Sequence, residues 1–171
     1  MTEKIIYKNK FFNIVKKENY YFYDENNLQV MILPVIDDKK FILVKQYRVP
    51  LKKNTYEFPA GGLLNKFENQ TNAAIRELFE ETGIKVKKKN IIKMMKISPN
   101  PQRQRKFVTI FLAKISMSEY KNRYKIKSKE IKNIKIFGTK KLKDFFKEKK
   151  IISGVMGLVF LNYLLRKKEI L

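Results

Sequence analysis

Residues 62–84 read GLLNKFENQTNAAIRELFEETGI, and within them Glu68, Glu77, Glu80 and Glu81 fall inside fourteen residues of a chain that has only twelve glutamates. From Thr71 onward Ala73, Ala74, Leu78 and Phe79 recur at helical spacing until Gly83, which predicts a helix of about three turns with a glycine stop. On that helix Glu77, Glu80 and Glu81 stand at i, i+3 and i+4, so they share a face and repel one another by about 0.2–0.5 kcal/mol per pair. A divalent cation reverses the sign, because carboxylate oxygens are the ligands that Mg²⁺ and Mn²⁺ prefer. A solvated, charged helix face is the plain alternative, and so small a repulsion does not exclude it.

Working outward, Pro59-Ala60-Gly61-Gly62 breaks the pattern before the helix. Upstream, Gln29 to Asp37 and Lys40 to Arg48 are β-rich runs separated by a turn at Asp38, which predicts a hairpin, and earlier strands are expected around Ile5 and from Phe11 to Tyr23. Downstream, strands are expected near Ile91 to Ile97, Lys106 to Ala113 and Ile131 to Phe137, then helices over Leu142 to Lys149 and Ser153 to Arg166. Strands on both sides of a central helix, with helices closing the chain, point to an α/β or α+β sandwich. No repeat or Gly/Ser/Pro-rich boundary divides the 171 residues, so one domain spanning 1–171 is expected.

Composition narrows the chemistry. The chain has no Cys, His or Trp. A thiolate nucleophile, a Cys- or His-ligated metal and an imidazole base are therefore excluded, leaving carboxylates, Lys, hydroxyls or a hard metal. The net charge of +23 comes from 33 Lys and only 6 Arg beside 20 Ile and 14 Asn. That joint enrichment reads as codon bias and solvated surface, since base-reading proteins favour the bidentate fork of Arg. The stretch from Lys121 to Lys150, with 13 basic and 3 acidic residues, can still recruit phosphates by charge. The N-terminal ten residues lack the apolar core of a signal peptide, and Ile151 to Leu165 is too short to span a bilayer and reads as a core helix. A cytoplasmic location and no membrane association are expected.

The residues Gly62, Glu68, Arg76, Glu77, Leu78, Glu80, Glu81, Gly83 and Ile84 match the Nudix hydrolase signature at every specified position. Chance agreement is of order 10⁻⁹ per starting position. The resemblance implies an α/β/α sandwich of mixed sheet and flanking helices. It also implies Mg²⁺-dependent hydrolysis of a nucleoside diphosphate linked to another moiety, Mn²⁺ being an alternative metal. Glu77, Glu80 and Glu81 would be ligands, joined by a backbone carbonyl at Gly61 or its neighbour Ala60, because glycine lets the backbone pass close to a metal. Arg76, one turn from Glu80, would fix that carboxylate through an ion pair. Leu78 and Phe79 are read as core.

The likeness extends over about Gln29 to Tyr163. Gln46-Tyr47-Arg48 followed by Glu57-Phe58-Pro59-Ala60-Gly61 resembles the strand motifs of the ADP-ribose pyrophosphatases, and Pro99, sixteen residues past Gly83 and preceded by Ser98, matches a further marker. By this resemblance Arg48 and Glu57 contact the substrate, and the Ser98 to Arg105 loop with Pro99, Arg103 and Arg105 lies near its phosphates or terminal ribose. That loop lacks the acid common in the family, and its two arginines suit a multiply charged ligand. The expected reaction converts ADP-ribose to AMP and ribose 5-phosphate.

For the base, the subfamily often uses a glutamate on a loop after the signature. Glu130 is the choice, just before the strand at Ile131 and after a Lys-rich loop able to close over substrate. Glu119 and a spare Glu80 are the alternatives. Two competing functions stay open: a pyrophosphohydrolase of RNA 5′ ends or dinucleoside polyphosphates, and a silent nucleotide- or RNA-binding Nudix module. A small nucleoside diphosphate is the expected partner. Nucleic acid is not favoured, and a homodimer stays open.

Overall fold

The computed structural model describes residues 2–25, 28–126, 128–148 and 153–167. Three strands, β1 (Lys4–Lys8), β2 (Phe12–Lys17) and β3 (Tyr20–Glu25), precede β4 (Gln29–Ile36), β5 (Lys40–Arg48), β6 (Lys53–Glu57), β7 (Ala60–Gly62) and helix α1 (Gln70–Thr82). Then come β8 (Ile91–Ile97), β9 (Gln104–Arg105), β10 (Val108–Ile115), α2 (Met117–Lys121), β11 (Ile131–Gly138), α3 (Thr139–Lys147) and α4 (Gly154–Lys167).

The apolar run of β4 dictates the layering. Val30, Ile32 and Ile36 face one side and pack with Ala73, Ala74 and Leu78 of α1, while Met31, Leu33 and Val35 face the other and pack with Leu142, Met156 and Phe160 of α3 and α4. A strand apolar on both faces must be covered on both, since successive side chains alternate across the sheet. The result is the expected α/β/α sandwich. The order in the larger sheet is β11-β5-β4-β10-β8, with β6 on β5 and β7 on β4. β10 runs parallel to β4 and all its other pairings are antiparallel, so the sheet is mixed. The smaller sheet has the order β1-β2-β3-β9.

The expected hairpin between β4 and β5 closes at Asp37 and Asp38, but the two strands pair only at Val35 with Phe41 and Ile36 with Lys40. Beyond that they splay. β4 takes β7 as its partner there, and β5 takes β6 and β11. This opening admits the Pro59 to Gly62 segment into the sheet, directly ahead of α1. The predicted helix at Leu142 begins earlier, at Thr139, and its expected end at Lys149 lies outside the described residues. The apolar C-terminal run forms α4, which buries Met156, Val159, Phe160, Tyr163 and Leu164; each such side chain contributes about 1.5–3 kcal/mol. Among the described residues no helix is long and apolar enough to cross a membrane.

Candidate active site

Helix α1 presents its acidic face because its ends and its other face are fixed. The Asn69 side chain caps the N-terminus by accepting from the N–H groups of Thr71 and Asn72, at 2.9 and 3.4 Å. Gly83 ends the helix at φ 72°, a left-handed conformation in which a Cβ would also run into the Tyr124 carbonyl. With Ala73, Ala74 and Leu78 in the core, Arg76, Glu77, Glu80 and Glu81 are turned toward the loop before the helix.

Arg76 joins more groups than its spacing suggested. Its Nη1 donates to Glu77 at 2.7 Å and Glu80 at 3.2 Å, its Nε to Glu68 at 3.0 Å, and its Nη2 to Glu68 at 3.1 Å and the Gly62 carbonyl at 2.8 Å. The guanidinium thus ties three signature acids to the entry loop, and its bond to Glu68 holds that carboxyl below the usual range. The Glu68 carboxylate also accepts from the Leu64 N–H at 2.6 Å, closing the 62–68 loop.

Two carboxylates sit deeper. Burial pushes the Glu77 carboxyl upward despite Arg76, and pushes Glu81 up to about 8, with the neighbouring Glu77 and Glu130 charges adding to the rise in Glu81. The Glu81 carboxylate accepts from the Ala60 N–H at 3.2 Å and has no ion-pair partner among the described residues. Gly61 packs so tightly on Glu77 that a Cβ there would overlap the carboxylate.

These acids form one wall of a cleft of about 630 Å³, with Glu77, Phe79, Glu80 and Glu81 on the helix side and Tyr124, Lys125, Ser128 and Glu130 opposite. The opposite wall is pinned to the helix end: the Tyr124 N–H donates to the Gly83 carbonyl at 2.9 Å, and its ring meets Phe79 edge-on at 5.8 Å. Behind Glu130, the Gln46 Nε2 donates to its Oε2 at 2.9 Å. On the same face of β5, Arg48 forms a two-point ion pair with Glu57, at 2.8 and 2.6 Å, and Thr55 also donates to Glu57. Burial alone would raise the Glu57 carboxyl, but these bonds outweigh it and hold it below the usual range. The Arg48 charge also acts favourably on Glu81 and Glu130.

The structure therefore brings together Gly61, Arg76, Glu77, Glu80, Glu81 and Glu130, with Arg48 and Glu57 beside them. Three expectations need correction. Arg103 and Arg105 do not line the cleft: Arg103 donates to the Tyr21 carbonyl at 3.3 Å, and Arg105 pairs with Glu3 at 2.6 Å and Asp24 at 3.2 Å. β9, which carries Arg105, is a strand of the smaller sheet, and the acids it meets lie about eighty or more residues away in sequence. Phe79 is only partly buried and lines the cleft rather than the core, with Tyr124 packed edge-on against it. Glu119, the alternative base, closes a capping box with Ser116 at the start of α2 and lines a different depression with Asn90 and Lys114. Pro99 follows β8 at the same end of the sheet as Gly62, since Gly62, Gln29, Val108 and Ile97 are successive ladder partners. That puts Ile97, two residues before Pro99, three strand spacings, about 14 Å, from Gly62. Tyr124 and Thr55 carry no motif or spacing in the sequence that marks them as part of the site, and none marks the side chain of Gln46 as a partner of Glu130.

The donor set suits a hard divalent cation: carboxylates on one helix face, among them a partly buried Glu81 that has no ion-pair partner among the described residues. Among the described residues no three acidic side chains already surround one point, and Arg76 pairs with both Glu77 and Glu80.

Fold and site together define an α/β/α sandwich protein with a row of helix-borne acids beside a loop-walled cleft. The NUDIX domain profile matches residues 25–154, and the chain belongs to the Nudix family. It is 42% identical over 84 residues to the ADP-ribose pyrophosphatase of Bacillus subtilis (strain 168), which covers 49% of this chain and 44% of that protein. It is 44% identical over 54 residues to the methanol dehydrogenase activator of Bacillus methanolicus, covering 32% of this chain and 29% of the relative. The aligned regions thus span less than half the length of these curated relatives. A crystal structure of an ADP compounds hydrolase superposes over 99% of this chain and 95% of its own, with a TM-score of 0.77 and 18% identity, a likeness of fold.

Proposed function

We propose that the chain is a Nudix hydrolase that cleaves the pyrophosphate bond of a nucleoside diphosphate sugar, converting ADP-ribose to AMP and ribose 5-phosphate in the cytoplasm. The observation that carries this reading is the cleft that sets Glu130 opposite Glu77, Glu80 and Glu81. Its volume lies within the range of small-molecule sites. Similarity to an ADP-ribose pyrophosphatase over 84 residues supports the choice of substrate.

Glu77, Glu80, Glu81 and the Gly61 carbonyl would hold Mg²⁺, or Mn²⁺ in its place, which when bound supplies positive charge to the pyrophosphate oxygens. Arg76 holds the ligating acids in position. Glu130 accepts the proton of the attacking water as its oxygen bonds to one phosphorus, and the bridging oxygen departs with the other phosphate. Lys125, across the cleft from the acids, and Arg48, at the end of β5, provide charge for the anionic substrate.

The net charge of +23 favours a competing reading, hydrolysis of RNA 5′ ends. Hydrolysis of ADP-ribose, GDP-mannose, diadenosine tetraphosphate and triphosphorylated RNA should be compared with Mg²⁺ present. The highest kcat/KM is expected for ADP-ribose, with AMP and ribose 5-phosphate as products resolved by chromatography. A higher value for RNA, together with a steep loss of its binding between low and physiological salt, would replace the sugar-nucleotide reading.

A further inference from the structure

We propose that Gln46 is the positioning residue for Glu130, holding its carboxylate at the cleft rim so that the proton of the attacking water meets an acid in one fixed place. This rests on the hydrolase reading above and adds to it a residue that does not touch the reacting atoms.

Gln46 is 8% exposed and lies on β5, where the preceding residues Phe41 to Val44 are all buried and apolar. Burying a primary amide at such a position costs free energy unless it is hydrogen-bonded, so an aliphatic side chain would be the economical choice for packing alone. One of the two amide N–H groups donates to Glu130 Oε2 at 2.9 Å. A carboxylate only accepts, so the Nε2 side of the amide must face it. Glu130 is also fixed through its backbone: Ile131, the next residue, is the ladder partner of Gln46 where β11 meets β5. One residue thus restrains both the start of the strand, through its backbone, and the acid that precedes it, through its side chain. Across the ladder Gln46 faces Thr55, whose hydroxyl lies 3.4 Å from the Gln46 carbonyl and also bonds Glu57. The Glu130 anchor and the Arg48–Glu57 ion pair therefore belong to one polar strip on one face of β5.

The choice of a neutral donor has a chemical consequence. In a chain with 39 basic residues a lysine could have held the same acid, but as an ion pair it would have satisfied the charge that must take up a proton. An amide orients the carboxylate through one oxygen and leaves the other free.

The test is a double-mutant cycle with Gln46→Met, which keeps length and bulk, and Glu130→Gln, with Gln46→Glu as a second variant that sets one carboxylate against another. Folding is checked by thermal melts, and kcat and KM are measured on ADP-ribose with Mg²⁺. In the metal-free protein the Gln46 side-chain amide is followed by NMR. Gln46→Met should lower kcat at least tenfold with KM within about twofold, Gln46→Glu should lower it as much or more, and Gln46→Met should cause no further loss in the Glu130→Gln background. The Gln46 amide protons should be protected from exchange and should shift in Glu130→Gln. Wild-type kcat in Gln46→Met, equal losses in both backgrounds, or a freely exchanging amide would overturn the proposal alone. Full activity of Glu130→Gln, or no hydrolysis by the wild-type protein, would overturn it together with the reading beneath it.

Discussion

The α-carbon of Gly61 faces the Glu77 carboxylate so closely that a methyl group on it would occupy the same space. The carboxylate is the far end of a flexible side chain, but Arg76 holds it at 2.7 Å, so Gly61→Ala must displace an acid that is already tied down. The expected result is a loss of turnover of about 10²-fold for a stability cost of no more than about 1–2 kcal/mol. Comparing kcat with the denaturation midpoint separates the two, and a loss of stability with kcat intact would assign Gly61 to packing.

Glu77→Gln and Glu81→Gln should each reduce turnover at least about 10²-fold, because each removes negative charge where a cation must be held. The fold should persist in both, since neutralising like charges on one helix face relieves repulsion. Near-wild-type rates with unchanged Mg²⁺ affinity in both variants would sink the metal assignment.

The metal-free protein should lose stability as pH rises toward about 8. Glu81 has its pKa raised from 4.5 to about 8, so the folded chain binds this proton more tightly than the unfolded chain. The resulting stabilisation is complete below about 4.5 and is lost as pH rises through about 8. Glu57 and Glu68, whose values are lowered, act the other way and lose their contribution as pH falls. Melting temperatures across pH 5 to 9, with Mg²⁺ removed, should show a decline at the upper end that Glu81→Gln abolishes.

Arg76→Ala should destabilise the chain by about 2–3 kcal/mol, because it leaves Glu68 and Glu77 without their main cation in a largely buried setting. Arg76→Lys should recover little, since an ammonium group cannot reach Glu68, Glu77 and the Gly62 carbonyl from one plane. Denaturant titration measures both, and full recovery by Lys would show that charge alone suffices.

Glu119→Gln should leave kcat unchanged and cost less than about 1 kcal/mol through the weakened capping box of α2. Glu130→Gln should reverse that pattern, with a large fall in kcat and little change in stability. A kcat loss confined to Glu119→Gln would move the base there.

Local order was legible without coordinates. The helix from 70 to 82, its glycine stop, the acidic face and both edges of β5 follow from spacing and from the conformational demands of single residues, which neighbours along the chain are enough to impose. The unbroken apolar run of β4 likewise requires that both faces of the sheet be covered. What the chain alone could not settle were meetings between distant residues. Arg105 looked like a ligand for a charged substrate until the smaller sheet brought Glu3 and Asp24 to it, and Phe79 looked like core until Tyr124 packed edge-on against it. Gln46 and Glu130 are 84 positions apart and meet because β11 pairs with β5 in one register. Propensity and periodicity act over a few residues. Which charge finds which partner depends on strand order and register, and these are set by how the whole apolar core closes.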